Sequence, residues 1–175
     1  MLQLTQKETA LLQDQQKHEE ICVQKYQSYA NQARDPQLKQ LFNDIAQVEK
    51  EHLNSVTQML SGQIPATNQQ QQGQQGQQQQ QGQQQKGQQV AKGQSNSFQM
   101  QASGSGKQSY DENDAALCND MLMTEKYVSS TYNTAIFEFQ DSNARDVLNH
   151  IQKEEQQHGE QIFNYMKSQG MYQPQ

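Results

Sequence analysis

The sequence has few cysteines, few basic residues and no long apolar run. Its two cysteines, Cys22 and Cys118, are too few for a disulfide framework. A formal net charge of -6, with no basic run or stripe, argues against a nucleic-acid-binding surface. No stretch approaches the roughly 18 apolar residues that span a bilayer, and residues 1–10 lack the basic-then-apolar pattern of a secretory signal peptide. These absences predict a protein kept inside the cell, without a nucleic-acid or membrane partner.

Apolar residues are also scarce, at 31% of the chain, but they concentrate in its two ends. The middle consists almost entirely of Gln, Gly, Ser and Lys, with a nearly unbroken glutamine tract from Gln69 to Gln89. Such a composition cannot bury enough apolar surface to fold alone. We therefore predict a helical hairpin over 1–62, a disordered Gln/Gly-rich linker over 63–109 and a second helical hairpin over 110–172.

Local signals give the first hairpin its helix ends. Thr5 and Glu8 have the spacing of a capping box, which opens a helix. Asp35-Pro36 breaks that helix and starts the next, because Asp is a good N-cap and Pro favours the first helical position. Gly62 and Pro65 end the second helix. Apolar residues at helical spacing between these points predict two antiparallel helices.

The second hairpin has the same organisation. Asp111 opens its first helix, Asp141-Ser142 forms the turn, and Gly170 ends its second helix. A flexible linker of this length reaches about 40 Å on average, which suffices to run the length of a helix of roughly 35 Å. The linker can therefore act as a crossover between parallel helices. The sequence predicts an all-α fold: a four-helix bundle made of two hairpins and a long crossover.

Three polar residues interrupt the apolar stripes of each half at matching positions. The second set lies 106 positions after the first without a gap, and further identical pairs share that offset. The two sets are Glu19, Glu49 and His52, then Glu125, Glu155 and His158. One register over both halves indicates internal duplication and a pseudo-twofold axis.

These six residues are predicted to form the ligand set of a di-metal centre. Glu-x-x-His places both side chains on one helix face, and two such pairs with a glutamate from each remaining helix can bind two metal ions in a bundle core. A single Glu-x-x-His is more often a solvated helix surface, but two in register with buried glutamates favour metal binding. We expect two divalent ions, iron or manganese, since the ligands suit both. Glu49 and Glu155 would bridge the ions, with the remaining Glu and His of each half as terminal ligands.

Other residues near the predicted centre carry weaker signals. Tyr26 and Tyr132 lie two turns from the stripe glutamates on the same face. They could donate hydrogen bonds to the carboxylates or act as redox-active neighbours, but plain core packing is the favoured interpretation. Cys22 and Cys118 are expected to be small core residues. Glu154 flanks a ligand and is expected to point outward.

The six-residue pattern resembles the ferritin-like superfamily, which includes rubrerythrins, bacterioferritins and manganese catalases. The C-terminal half is, in addition, similar to the Coat F family of spore-coat proteins of endospore-forming Bacillota. This second resemblance rests on Glu125-Lys126-Tyr127 with Tyr132-Asn133-Thr134-Ala135, Val147-Leu148 through Glu154-Glu155, Phe163-Asn164-Tyr165-Met166, and Gly170-Met171-Tyr172-Gln173-Pro174. It implies a location in the spore coat or in the cytoplasm of the mother cell, with other spore-coat proteins as partners.

Three functions follow from these expectations. The first is a spore-coat-associated protein on a ferritin-like bundle with a carboxylate/His di-metal site. The second is a di-iron or di-manganese oxidoreductase that handles peroxide or oxygen. The third is a purely structural assembly module in which Gln69 to Gln89 mediates contacts. The long linker also leaves open a homodimer that exchanges hairpins between chains.

Overall fold

The structure is a computed structural model that describes residues 1–66 and 110–172. Most of the predicted linker, and with it the predicted disorder of residues 63–109, lies outside the described residues. Within the described part, all regular structure is helical. None of the described helices carries an apolar segment long enough to cross a bilayer.

Four helices form two hairpins that pack together. They are α1 (Gln6–Gln32), α2 (Pro36–Leu60), α3 (Glu112–Glu138) and α4 (Ser142–Ser168). The main contacts join α1 to α2 and α3 to α4, and further contacts join α1 to α3 and α2 to α4. The predicted all-α bundle of two hairpins is confirmed.

The predicted helix ends of the first hairpin are also confirmed. Thr5 Oγ1 accepts from the Glu8 backbone N–H at 3.2 Å, and Glu8 Oε2 accepts from the Thr5 N–H at 2.7 Å, which completes the capping box. Asp35 caps α2 with Pro36 in its first turn. Gly62, at φ 83°, adopts the left-handed conformation that ends α2.

A buried acid at the start of α1 and of α3 reaches across to the turn of the other hairpin. Glu8 Oε1 accepts from the Gln140 backbone N–H at 2.9 Å. The two Asp114 carboxylate oxygens accept from the backbone N–H groups of Arg34 and Asp35, each at 2.9 Å. These reciprocal contacts set the axial register between the hairpins, and that register decides which side chains meet at mid-height.

The core has two apolar clusters with a polar layer between them. One contains Leu12 of α1 and Leu148 of α4; the other contains Phe42 of α2 and Ile162 of α4. Cys22 and Cys118 are buried, free thiols within these clusters. The polar layer therefore lies inside the bundle, with apolar side chains above and below it.

Candidate metal centre

All four helices contribute to this polar layer. α1 and α3 each supply one glutamate, and α2 and α4 each supply a Glu-x-x-His pair, whose two side chains share a helix face. Every one of the six side chains is buried. The exposed fractions are 0% for Glu19, Glu49 and Glu155, 2% for His52 and Glu125, and 3% for His158. Fully buried carboxylates are rare unless they are paired or bind a cation, so this layer requires an explanation.

The six side chains converge as two groups that share Glu49 and Glu155. In each group, one donor atom per residue can be chosen so that all the atoms lie within 4.8 Å of one another. The first group adds Glu19 and His52, and the second adds Glu125 and His158. The structure thus brings all six predicted residues together, and the shared pair lies in the middle.

Both imidazoles direct the same ring nitrogen at the carboxylates. His52 Nδ1 lies 2.9 Å from Glu155 Oε1 and 3.4 Å from Glu49 Oε2. His158 Nδ1 lies 3.0 Å from Glu49 Oε1 and 3.8 Å from Glu125 Oε2. The two rings stack with 5.6 Å between their centroids. Each Nδ1 therefore faces the shared carboxylates rather than the solvent.

These close approaches lack the directional geometry of hydrogen bonds. Eight buried side-chain N and O atoms in the described residues have no hydrogen-bond partner, and all eight belong to the six residues of the centre. An unpaired buried polar atom costs roughly 1–3 kcal/mol. Carboxylate oxygens and an imidazole nitrogen are also the ligand atoms that iron and manganese accept. The donor set therefore fits a pair of divalent metal ions.

The electrostatics of the layer without a cation support the same interpretation. Burial raises the pKa of Glu19 to about 7 and that of Glu155 well above its ordinary value. Burial opposes ionisation of Glu49 too, but the nearby His158 and His52 imidazoles lower its pKa to about 2. Burial alone would lower the pKa of both imidazoles, yet the carboxylates raise that of His158 to about 9 and that of His52 well above its usual range. The buried acids and imidazoles of this layer therefore shift one another's pKa values strongly, as expected for a cluster of charges that a cation would stabilise.

Two buried tyrosines donate across the interface between the hairpins. The Tyr26 hydroxyl of α1 donates to Glu125 Oε1 of α3, and the Tyr132 hydroxyl of α3 donates to Glu19 Oε1 of α1. Burial, with the neighbouring carboxylates, raises the pKa of both phenols, so they remain proton donors. The favoured interpretation of these tyrosines, core packing, is confirmed, since both are fully buried, and the alternative of hydrogen bonding to the glutamates holds as well.

Glu154 was expected to point outward, and that expectation is wrong. Its carboxylate Oε2 accepts from His52 Nε2 at 2.9 Å and lies 3.3 Å from His150 Nε2. In the neutral ring, donation from Nε2 to Glu154 places the Nδ1 lone pair toward the centre, the usual arrangement for a metal-binding histidine. The position 106 residues earlier is Val48, so the other half has no equivalent acid. The only sequence signal for an inward orientation of Glu154 was its position at the edge of the apolar stripe of α4.

Two protein-family models match parts of this chain. Residues 113–175 match the Coat F domain, and residues 11–84 match Rubrerythrin. Searches of curated proteins and of solved structures gave no significant match. The second hairpin is therefore similar to the Coat F domain, and most of the first hairpin lies in the segment that is similar to Rubrerythrin, a ferritin-like family.

Proposed function

We propose that this protein is a spore-coat-associated protein whose ferritin-like bundle binds two divalent ions, iron or manganese. The Coat F domain supports the spore-coat location, and other coat proteins are then its partners. The rubrerythrin-like domain and the buried Glu/His layer support the metal centre.

The observation that carries the metal proposal is the set of eight unpartnered atoms in the six buried residues. Four buried carboxylates balance the charge of two divalent ions, and without cations they must take up protons or repel one another. Solvated surface residues would not produce this pattern, because their polar atoms would be hydrated.

The geometry favours a specific division of labour. Glu49 and Glu155 belong to both groups of donor atoms and would bridge the two ions. The remaining Glu and His of each half would be terminal ligands, one pair for each ion. Tyr26 and Tyr132 would orient the terminal carboxylates by the hydrogen bonds they donate from the opposite hairpin.

Elemental analysis of the protein purified from its own source tests the metal centre. We expect about two equivalents of iron or manganese per chain, as in bundle centres with this ligand set. Glu49→Gln and Glu155→Gln should each lose metal, whereas Glu51→Gln, at an exposed position on α2, should retain it. If wild-type protein binds neither metal on reconstitution and keeps its stability after chelation, the metal centre is contradicted. The remaining function is then that of a purely structural coat module.

A second candidate function is oxidoreductase activity toward peroxide or oxygen. The observation that favours it is a cavity between α3 and α4 whose lining includes Glu125 and Glu155. Bound iron or manganese would supply the electron transfer, and the buried layer would exclude bulk water. Peroxide or oxygen consumption by metal-loaded protein that is lost in Glu155→Gln and retained in Glu51→Gln would establish it.

The spore-coat location is tested separately. A fluorescent fusion expressed under the native promoter in a sporulating host should accumulate around the developing spore. A fusion that stays diffuse through spore maturation would contradict a coat function and leave the metal centre unaffected.

A further inference from the structure

The outer surfaces of α1 and α3 expose large apolar side chains, whereas α2 and α4 expose none. The exposed ones within the described helices are Ile21 (50%) on α1, and Met123 (63%), Tyr127 (60%) and Phe137 (82%) on α3. Ile21, Met123 and Tyr127 line one groove of about 340 Å³ between these helices, which we call the α1/α3 groove. Exposed apolar side chains that cluster in one place mark a contact surface.

The middle of the α1/α3 groove is occupied by equivalent residues of the two halves. α1 and α3 run antiparallel, since Glu8 at the start of α1 accepts from the Gln140 backbone N–H beyond the end of α3. Ile21 lies 13 residues after Glu8, and Tyr127 lies 13 residues before Gln140, so the two side chains are level. They are also related by the offset of 106 residues. Each half thus contributes a large apolar side chain at the same height.

The charged residues of the α1/α3 groove neutralise each other. Lys25 Nζ lies 2.6 Å from Asp120 Oδ2, and the Tyr29 hydroxyl donates to the same carboxylate at 2.7 Å. The groove therefore has no net charge, although the whole chain carries -6. Two copies of the chain repel each other over most of their surfaces, and a neutral apolar groove is where they can approach. A strongly charged partner would find no opposite charge there.

We propose that two copies of this chain form a dimer through the α1/α3 groove, with Ile21 of each copy against Tyr127 of the partner subunit. Such a contact is isologous: the same patch serves on both sides, and every contact occurs twice. The twofold axis runs along the groove, so that α1 of one copy lies on α3 of the other. Tyr and Met are residues that the buried cores of protein interfaces favour.

The lysines of α1 select this orientation over one in which the axis crosses the groove. In that alternative, α1 would lie antiparallel on the partner's α1 with Ile21 at the centre. Lys17 and Lys25 lie four residues on either side of Ile21, so each would face the other lysine of the partner, which like charges disfavour. With the axis along the groove, Lys17 is level with Thr131 of the partner subunit, and Lys25 with Met123 of the partner subunit. Neither of these residues is charged.

Sedimentation velocity of the full-length protein over a range of concentrations measures this association. Ile21→Glu and Tyr127→Lys each bury a charge without a partner at two places in the dimer. We expect the dimer dissociation constant to rise by at least about tenfold in each variant. Tyr127→Lys lowers the net negative charge, so its weaker association cannot come from general repulsion.

The matched control is Asn43→Lys, which adds the same charge at an exposed position of α2 outside the groove. It should leave the dissociation constant unchanged. Circular dichroism and metal content are measured for every protein, because substitutions at exposed positions should leave the fold and the metal centre intact.

A mixture of the two groove variants tests the partner and the orientation together. In a mixed dimer, the carboxylate introduced by Ile21→Glu faces the ammonium introduced by Tyr127→Lys, and the second contact between Ile21 and Tyr127 is native. We expect the mixed dimer to be about tenfold tighter than the dimer of either variant alone. Ile21→Glu mixed with Asn43→Lys keeps one native contact but lacks the opposite charge, and should gain less.

Each part of the proposal can fail separately. Wild-type protein that stays monomeric at every concentration would overturn a second copy as the occupant of the groove. Wild-type dimers that persist unchanged in both groove variants would show that another surface holds them. Weaker association in both variants without recovery in the mixture would overturn the alignment of Ile21 with Tyr127. Metal content decides the proposed function independently of all three outcomes.

Discussion

Glu154 distinguishes the two halves of the polar layer. It holds His52 through Nε2, whereas the corresponding position in the first hairpin is Val48 and offers His158 no carboxylate. A carboxylate on the outer nitrogen of a metal-binding imidazole fixes the ring and raises its basicity. The two ions that we propose are therefore expected to bind with different affinities, the tighter one beside His52.

Replacing Glu154 should bring the binding affinities of the two proposed ions closer together. Glu154→Val copies Val48 and is expected to weaken the tighter binding step by about 10–100-fold, because the histidine loses its hydrogen-bond partner. Isothermal titration with manganese would resolve the two steps. Lys153→Val, the same replacement at the exposed neighbour, should leave both steps unchanged. Equal losses in the two variants would mean that Glu154 does not act through His52.

At the scale of helices, the register between the hairpins depends on a few charged contacts at their ends. Glu8 completes the α1 cap and also accepts from Gln140 at the α3–α4 turn. Burial by itself would raise the Glu8 pKa, but the hydrogen bonds from the Gln140 and Thr5 backbone N–H groups outweigh it and lower the pKa. The ionised carboxylate is thus preferred in the folded state.

Glu8→Gln should destabilise the bundle by about 1–2 kcal/mol at neutral pH, as expected for lost charge-assisted hydrogen bonds. Because the folded-state pKa lies below the unfolded value of about 4.3, this contribution is present above that pH and disappears as the pH falls through the folded-state pKa. In urea unfolding of the wild-type and Glu8→Gln proteins, the difference between their free energies of unfolding should therefore shrink as the pH falls from 7 to 3. The control Glu51→Gln, at an exposed site, should not change the free energy of unfolding at any of these pH values. If the loss in Glu8→Gln does not depend on pH, packing rather than the charge of Glu8 is responsible.

The α3–α4 groove supports a further prediction at this scale. Gly159→Ala should stabilise the protein by up to about 1 kcal/mol, because alanine favours the helix interior and its Cβ meets only ordinary contacts. Denaturant midpoints at constant slope would measure the gain. A loss of stability in Gly159→Ala would show that the space between α3 and α4 beside Gly159 is smaller than in this structure.

For the molecule as a whole, the centre links the two hairpins, since each group of donor atoms draws on both. Metal binding should therefore stabilise the entire bundle, by about 2.7 kcal/mol when free metal exceeds the dissociation constant a hundredfold. The thermal midpoint should rise on adding iron or manganese and fall on chelation. Glu49→Gln and Glu155→Gln proteins should show no such rise, and a rise that persists in them would place the binding elsewhere.

Most of the secondary structure and the six residues of the centre could be predicted from sequence, because their signals are local. A capping box at Thr5, Asp35-Pro36 at the first turn and glycine at position 62 act over a few residues. Glutamates in an apolar stripe are conspicuous because burial of a charge is costly. The division of the chain at residues 62 and 110, and the disorder assigned to the linker, stay predictions.

The sequence by itself determined where the helices begin and end, which faces they bury and which acids and imidazoles those faces carry, because helical periodicity relates residues within one element. Only the tertiary structure decided the contacts across the hairpins: Tyr26 with Glu125, and Glu154 with His52. Those depend on the rotation and axial offset of helices far apart in the chain. Packing of the whole core sets that rotation and offset, and no local pattern encodes either one.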